Sequence, residues 1–184
     1  MTKFEMYLHT LMGATIAKGF YKNYVDNLDI LNSKNILEFG SGAGCITKNL
    51  LKRIDNNTKL SCIDIDNEAI DLAKNRFKNY NNLTFYIGDI RKLDIEKKSF
   101  DTIIIHYMLH DVNEKDRTSI IEVLHSLLSE NGKLYIREPI NKDHGIPAIK
   151  IRQLMNNCNY IELEGKIEKR FIGGVMFSAI FEKE

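Results

Sequence analysis

Residues 35–44 read NILEFGSGAG, and this stretch decides the fold. Asn35 to Phe39 is a short run of strand-forming residues that runs into Glu38-Phe39-Gly40-Ser41-Gly42-Ala43-Gly44, an E-x-G-x-G-x-G turn. Ile46, Leu50 and Ile54 follow at helical spacing, so the turn joins a strand to a helix. In an open α/β sheet the ligand binds beyond the carboxyl ends of the strands, where strand order reverses, and this turn sits at that place. Glycines there remove Cβ atoms, so that backbone can approach a ligand and adopt φ values costly to other residues. A dinucleotide fingerprint needs G-x-G-x-x-G. Here the third glycine comes one residue early, which weakens a pyrophosphate reading.

Downstream the same rhythm repeats. KLSCID (59–64), LTFYI (83–87), DTIIIHY (101–107) and KLYIRE (133–138) are strand candidates. Between them, Ala69, Leu72, Ala73 and Phe77, then Ile120, Leu124, Leu127 and Leu128, mark helix faces. Such alternation signals a parallel sheet covered by helices on both faces. TIIIHY has no polar alternation, as expected of a central strand buried on both sides. After a helix face of Ile151, Leu154 and Met155, YIELEGKIE (160–168) alternates apolar with charged residues. That pattern predicts an edge strand whose Lys and Glu form its wet side. Gly173-Gly174 supplies a turn into VMFSAIF (175–181), and strands joined by a short turn pair antiparallel. The expectation is a doubly wound α/β sheet of seven strands, five parallel plus a C-terminal antiparallel hairpin. Upstream, Phe4, Tyr7, Leu8 and Leu11, then Phe20, Tyr21, Tyr24, Val25 and Leu28, predict two helices or one broken at Gly13 and Gly19.

Composition narrows the function. The 184 residues are 43% apolar, enough for one domain with a full core. With 26 Lys and Arg against 25 Asp and Glu, the net charge of +1 creates no global field to hold a polyanion, so no nucleic-acid partner is expected. No apolar run approaches the roughly 20 residues needed to span a bilayer, and the N-terminus has no signal-peptide core. Cys45, Cys62 and Cys158 are scattered and form no CxxC pair, so neither a disulfide framework nor a zinc ribbon is signalled. A cytoplasmic protein of one domain, 1–184, is the reading.

Two carboxylates follow the glycine turn at the same sheet edge. Asp64 ends the second strand twenty residues after Gly44, where it can accept both hydroxyl protons of a ribose. Asp89, in Gly88-Asp89-Ile90 after the third strand, can accept from an exocyclic adenine amine, with Ile65 and Ile90 packing the ring faces. Two carboxylates repel a phosphate and suit a cationic nucleoside.

In EFGSGAG (38–44), CIDID (62–66), GDI (88–90), FDTIIIHYMLHDV (100–112) and NGKLYIREP (131–139), the chain resembles the class I S-adenosylmethionine-dependent methyltransferases. The resemblance covers residues 34–138, and the terminal hairpin fits that fold's last antiparallel strand. It implies S-adenosyl-L-methionine as cofactor. The turn of Gly40, Ser41, Gly42 and Gly44 would then face the methionine part, with Glu38 holding its ammonium. Asp64 would take the ribose and Asp89 the adenine, and the backbone around His106 would contact the cofactor's amino group. It also implies a division into an N-terminal helical lid (1–30), a cofactor-binding core (34–138) and a C-terminal helix and hairpin (139–184).

Leu109-His110-Asp111 resembles a segment of small-molecule O-methyltransferases of the plant phenylpropanoid type, in which a His-Asp pair follows the fourth strand and the His is the base. His110 is therefore the candidate catalytic base, suited by a near-neutral pKa to taking a proton from a phenol or thiol. Tyr21 and Tyr107 are candidate substrate contacts. His106 and His110 would share a metal only on a helix, and a strand ending at His106 argues against it, so no metal is expected. His9, His125 and His144 read as surface or packing residues, and Cys45 as a small buried hydrophobe. The acceptor pocket is expected from residues 1–30, 106–113 and 139–148.

The leading reading is methyl transfer to a small-molecule acceptor by in-line displacement. No D/N-P-P-Y/F follows the fourth strand, which disfavours adenine and glutamine N-methylation, and no Pro-Cys pair suggests cytosine C5 chemistry. The alternatives are a non-catalytic cofactor-binding partner subunit and an NAD-dependent oxidoreductase. A pocket joining Tyr21, His106 and His110 favours catalysis; a large exposed apolar patch on the N-terminal helices favours the partner subunit.

Overall fold

In the computed structural model residues 18–141, 144–170 and 174–184 are described. The expected helix over Phe4, Tyr7, Leu8 and Leu11 lies outside them. Gly19 does not break the second stretch but lies within helix α1 (Lys18–Asp26).

The chain then runs β1 (Asn35–Phe39), α2 (Thr47–Leu50), β2 (Lys59–Asp64), α3 (Asn67–Arg76), β3 (Leu83–Ile87), β4 (Phe100–His106), α4 (Glu114–Leu127), β5 (Leu128–Asn141), β6 (His144–Gly145), α5 (Ala148–Asn157), β7 (Tyr160–Arg170) and β8 (Gly174–Lys183). The sheet order is β3-β2-β1-β4-β5-β8-β7, with the two-residue β6 pairing with β5 off this path. β1 to β5 pair parallel, while β8 pairs antiparallel with both β5 and β7. The five parallel strands and hairpin are as expected; β6 is an addition. Strand order reverses between β1 and β4, so the glycine turn and the end of β4 flank the switch point.

Successive side chains of the central strands divide between two cores. On one face Leu37, Ile103, Ile105 and Leu134 pack with Ile121, Leu124, Ile151 and Met155 of α4 and α5. On the other, Ile36, Leu60, Ile104 and Tyr135 pack with Val25, Leu50, Ala73 and Phe77. The unbroken apolar run of β4 thus serves both faces, the sign of a strand covered twice.

Local physics accounts for several boundaries. Asp66 accepts the Ala69 amide at 3.1 Å and caps α3. The helix expected over Ile46, Leu50 and Ile54 shrinks to one α-turn. There the Asn49 side chain donates to the Cys45 carbonyl, competing with regular helical bonding. Leu72 is half exposed rather than inward, and Leu128 starts β5 rather than ending α4.

The edge strand departs most from expectation. Its apolar side, Ile161, Leu163 and Ile167, is exposed at 45%, 44% and 58%. Tyr160 is buried, and Glu162 beside it is half-buried. The reason lies in α5, whose Arg152 reaches Glu162 with two bonds of 2.7 and 2.9 Å and stacks over Phe177. A register shift between Glu162 and Glu164 breaks the alternation that the sequence suggests. Among the described residues no helix is long and apolar enough to cross a membrane.

Candidate functional site

The turn after β1 hangs on β2. The amides of Gly40 and Ser41 donate to the Ile63 carbonyl at 2.8 and 3.1 Å, and the Gly42 amide donates to Asp64 Oδ2 at 2.7 Å. Gly40, Gly42 and Gly44 all have positive φ, +77°, +51° and +84°. Their surroundings differ, however. A Cβ on Gly40 would collide with Met108 and one on Gly44 with the Phe77 ring, whereas one on Gly42 would meet nothing within 4 Å. Gly40 and Gly44 therefore serve close packing, whereas among the described residues a Cβ on Gly42 would stand in open space.

That space is a cleft of about 720 Å³ along the carboxyl ends of β1 to β4. It is lined by Glu38, Ser41, Gly42, Asp64, Ile65 and Ile90 on one side and by Tyr21, His106, Tyr107 and His110 on the other. The expected cofactor and acceptor residues, Gly44 excepted, thus line one cavity, of a size usual for small-molecule sites.

Glu38 is 3% exposed and accepts the Thr47 hydroxyl at 2.6 Å. Burial pushes its carboxyl up to about 7, against the opposing hydrogen bonds of Thr47 and Cys62. Asp64 gives one oxygen to Gly42 and the other to the Asp66 amide at 2.9 Å, and burial raises its pKa. Ile65 is 76% exposed beside it, while Ile90 is buried.

Asp89 also lines the cleft, and it has a partner that the sequence reading did not name. Arg91 curls back and donates from Nε and Nη2 to both carboxylate oxygens at 2.7 to 3.1 Å, and its amide donates to Oδ1. These contacts hold Asp89 below the usual carboxylate range. Arg91 also reaches Asp116 at 2.7 Å, tying the turn after β3 to α4. The Gly88-Asp89-Ile90-Arg91 sequence carried that signal, since an arginine two residues on can fold over a carboxylate.

On the far side His106 is buried, its ring against Phe20, Tyr21 and Tyr24 at centroid distances of 5.7, 5.6 and 4.8 Å. Burial first and the Arg137 charge second push its pKa well below the ordinary value, so the ring is neutral. Burial pushes the Tyr21 hydroxyl up to about 12 and raises that of Tyr107. Neither tyrosine is poised to act as a base at neutral pH.

His110 is held differently. Its Nδ1 lies 2.7 Å from Oε2 of Glu138, at the carboxyl end of β5. Glu138 is fully buried, and it also accepts the amides of Met108, Leu109 and His110 at 2.8, 2.9 and 3.2 Å. An acceptor-only carboxylate at Nδ1 requires the proton there and leaves the Nε2 lone pair free. Burial pulls the His110 pKa down, but the hydrogen bond and charge of Glu138 outweigh it and the net shift is upward. Asp111, the expected partner, sits on the other side, 3.6 Å from Nε2 and exposed. Sequence reasoning missed Glu138 because it follows His110 by 28 residues; the signal was an acid at the ligand edge of the strand beside β4.

A family described as "Methyltransferase domain" matches residues 30–180. The chain belongs to it. Among relatives of this methyltransferase domain, an uncharacterised methyltransferase of Bacillus velezensis is 24% identical over 78% of this chain and 65% of its own length. Malonyl-[acyl-carrier protein] O-methyltransferase 1 of Ilyobacter polytropus is 28% identical over 82% of this chain and 54% of its own. The chain thus spans between about half and two thirds of the length of these curated relatives. The fold of the N-methyltransferase NodS from Bradyrhizobium japonicum, solved with S-adenosyl-L-homocysteine, superposes with a TM-score of 0.75 at 19% identity, covering 88% of this chain and 85% of that one.

The cofactor implied for this methyltransferase domain is S-adenosyl-L-methionine, and the cleft fits it. Ser41 Oγ is buried at the glycine turn with no hydrogen-bond partner among the described residues. A buried carboxylate, Glu38, stands behind the turn, and Asp64 stands at the end of β2. The exposed Ile65 offers an apolar face for a planar ring.

Proposed function

We propose that this methyltransferase domain moves the methyl group of S-adenosyl-L-methionine to a small-molecule acceptor, with His110 taking the acceptor's proton. The observation that carries this reading is the single cleft joining the glycine turn and Asp64 to His110, whose Nδ1 is tied to a buried glutamate. When bound, the cofactor supplies an electrophilic methyl on a sulfonium. Ser41, Gly42 and Glu38 hold its amino-acid end, Asp64 its ribose, and Ile65 and Ile90 flank its base. The acceptor lies against Tyr21, Tyr107 and His110. Attack of the acceptor's heteroatom on that methyl would leave S-adenosylhomocysteine, and His110 Nε2 would take the acceptor's proton. Glu138 keeps that nitrogen facing the acceptor and stabilises the imidazolium that forms.

The cleft volume and the net charge of +1 favour a small acceptor over a polyanion. The free thiols of Cys45, Cys62 and Cys158 suit a cytoplasmic setting, and the family match across residues 30–180 supports one domain over the chain.

Calorimetric titration with S-adenosylmethionine, S-adenosylhomocysteine and NAD tests the reading. Binding of the first two alone is expected. Asp64→Ala should weaken it ten- to hundred-fold, roughly one charge-assisted contact. His110→Ala should bind the cofactor as wild type does yet slow transfer by about 100-fold or more. NAD binding alone would overturn the cofactor assignment, and cofactor binding with wild-type turnover in His110→Ala would remove the base.

A further inference from the structure

His110, Asp111 and His144 bring one ligand atom each to within 4.8 Å of one another. The first two sit on the turn after β4, and the third lies 34 residues on. We propose that these three side chains form a site for a divalent transition ion of the zinc type, opening on the acceptor side of the cleft. The proposal deepens the base reading of His110 and rests on it for its functional consequence.

Three features make this a built site. First, imidazole, imidazole and carboxylate are the ligands borderline-soft ions choose, and three of them leave a coordination position open. Second, the orientation of His110 is fixed. Buried Glu138 accepts the hydrogen bond of Nδ1–H, so Nε2 is the nitrogen presented to Asp111, 3.6 Å away. A carboxylate behind a histidine that ligates through its other nitrogen is the usual second layer of metal sites. Third, His144 is positioned by backbone. β6 pairs antiparallel with β5, Asn141 opposite His144, and the Ile146 amide donates to the Pro139 carbonyl at 3.0 Å. A Cβ on Gly145 would collide with that same Pro139 carbonyl, so only glycine lets the segment lie this close. The His144 ring then stands edge-on to His110, centroids 4.5 Å apart and planes at 81°.

Ligand atoms around a tetrahedral zinc lie about 3.3 Å apart, given metal–nitrogen distances near 2.0 Å. The His110–Asp111 separation of 3.6 Å is already close to that, and Asp111 and His144 are exposed side chains. The ion would occupy the Nε2 lone pair. Metal binding and proton abstraction by His110 are then mutually exclusive, and the ion blocks transfer.

Titration of the full chain with Zn²⁺ by calorimetry, and with Co²⁺ followed by its visible absorption, tests the site without any methyl acceptor. One ion per chain is expected, with affinity reduced at least tenfold in both His144→Ala and Asp111→Asn. Absence of binding, or equal affinity in wild type and both variants, would overturn the site. The second arm compares transfer rates with and without saturating Zn²⁺ inside each variant. A fall in wild type that is lost in His144→Ala supports the exclusion, and a wild-type rate unchanged or raised by bound Zn²⁺ overturns it. If His110→Ala retains full turnover, the base reading fails while the ion titration still decides the site.

Discussion

Glu38 shows how one buried carboxyl links cofactor, proton and stability. Its folded pKa of about 7 lies above the roughly 4.3 of an unfolded glutamate, so the fold favours the neutral acid. The stability it permits is complete below the unfolded value and is lost as pH rises toward 7, a change of about 3 kcal/mol over that window. Glu38→Gln keeps an acceptor for the Thr47 hydroxyl and cannot ionise. Urea denaturation of the two proteins should show the variant gaining on wild type by about that amount between pH 5 and pH 8. A cationic ammonium beside Glu38 requires the carboxylate, so cofactor binding should expel its proton. S-adenosylhomocysteine affinity is expected to rise with pH between about 5.5 and 7 in wild type and to stay flat in Glu38→Gln. Parallel pH profiles would instead show that Glu38 does not hold the ammonium.

The strand–turn–helix unit around Gly40, Gly42 and Gly44 separates packing from binding at the scale of an element. Gly44→Ala places a methyl into the Phe77 ring at a left-handed φ of +84°, so it should destabilise by about 2 kcal/mol or more, read by urea denaturation. Gly42→Ala meets open space, so only the left-handed strain of about 1 kcal/mol applies, yet its methyl points into the cleft. Its cofactor affinity should fall at least tenfold while stability falls by no more than about that 1 kcal/mol; an unchanged affinity would mean that the cleft is not the cofactor site. The element order and the parallel pairing were readable from hydrophobic periodicity, because the apolar runs of β1, β2, β4 and β5 and the helix faces that cover them leave a local mark. The bond between His110 and Glu138 left no such mark, since it depends on β4 and β5 lying side by side. Arg91 was unread on Asp89 because a side chain that folds back changes no periodicity. The wet side of β7 was read in part: Glu164, Lys166 and Lys169 are exposed as expected, but Arg152 of α5 holds Glu162 half-buried.

Across the whole molecule the two cores are not independent, because Ile104 on one side and Ile103 and Ile105 on the other belong to the same strand. Losing either helical layer strips one face of β4, so the described fold should melt in one cooperative step. The proposed cofactor site lies across the switch point beside that strand, and a ligand bound there stabilises both cores together. S-adenosylhomocysteine at about 100 times its Kd should add about 2.7 kcal/mol. For a chain of this length that corresponds to a rise in Tm of about 5 to 10 °C, measured by calorimetry with a single transition throughout. Asp64→Ala at the same ligand concentration should lose roughly half to five-sixths of the rise, because its Kd is about ten- to hundred-fold higher. A ligand that split the melt into two transitions would show that one helical layer unfolds without the other. An undiminished shift in Asp64→Ala would move the ribose contact away from β2 and leave the glycine turn to account for the affinity alone.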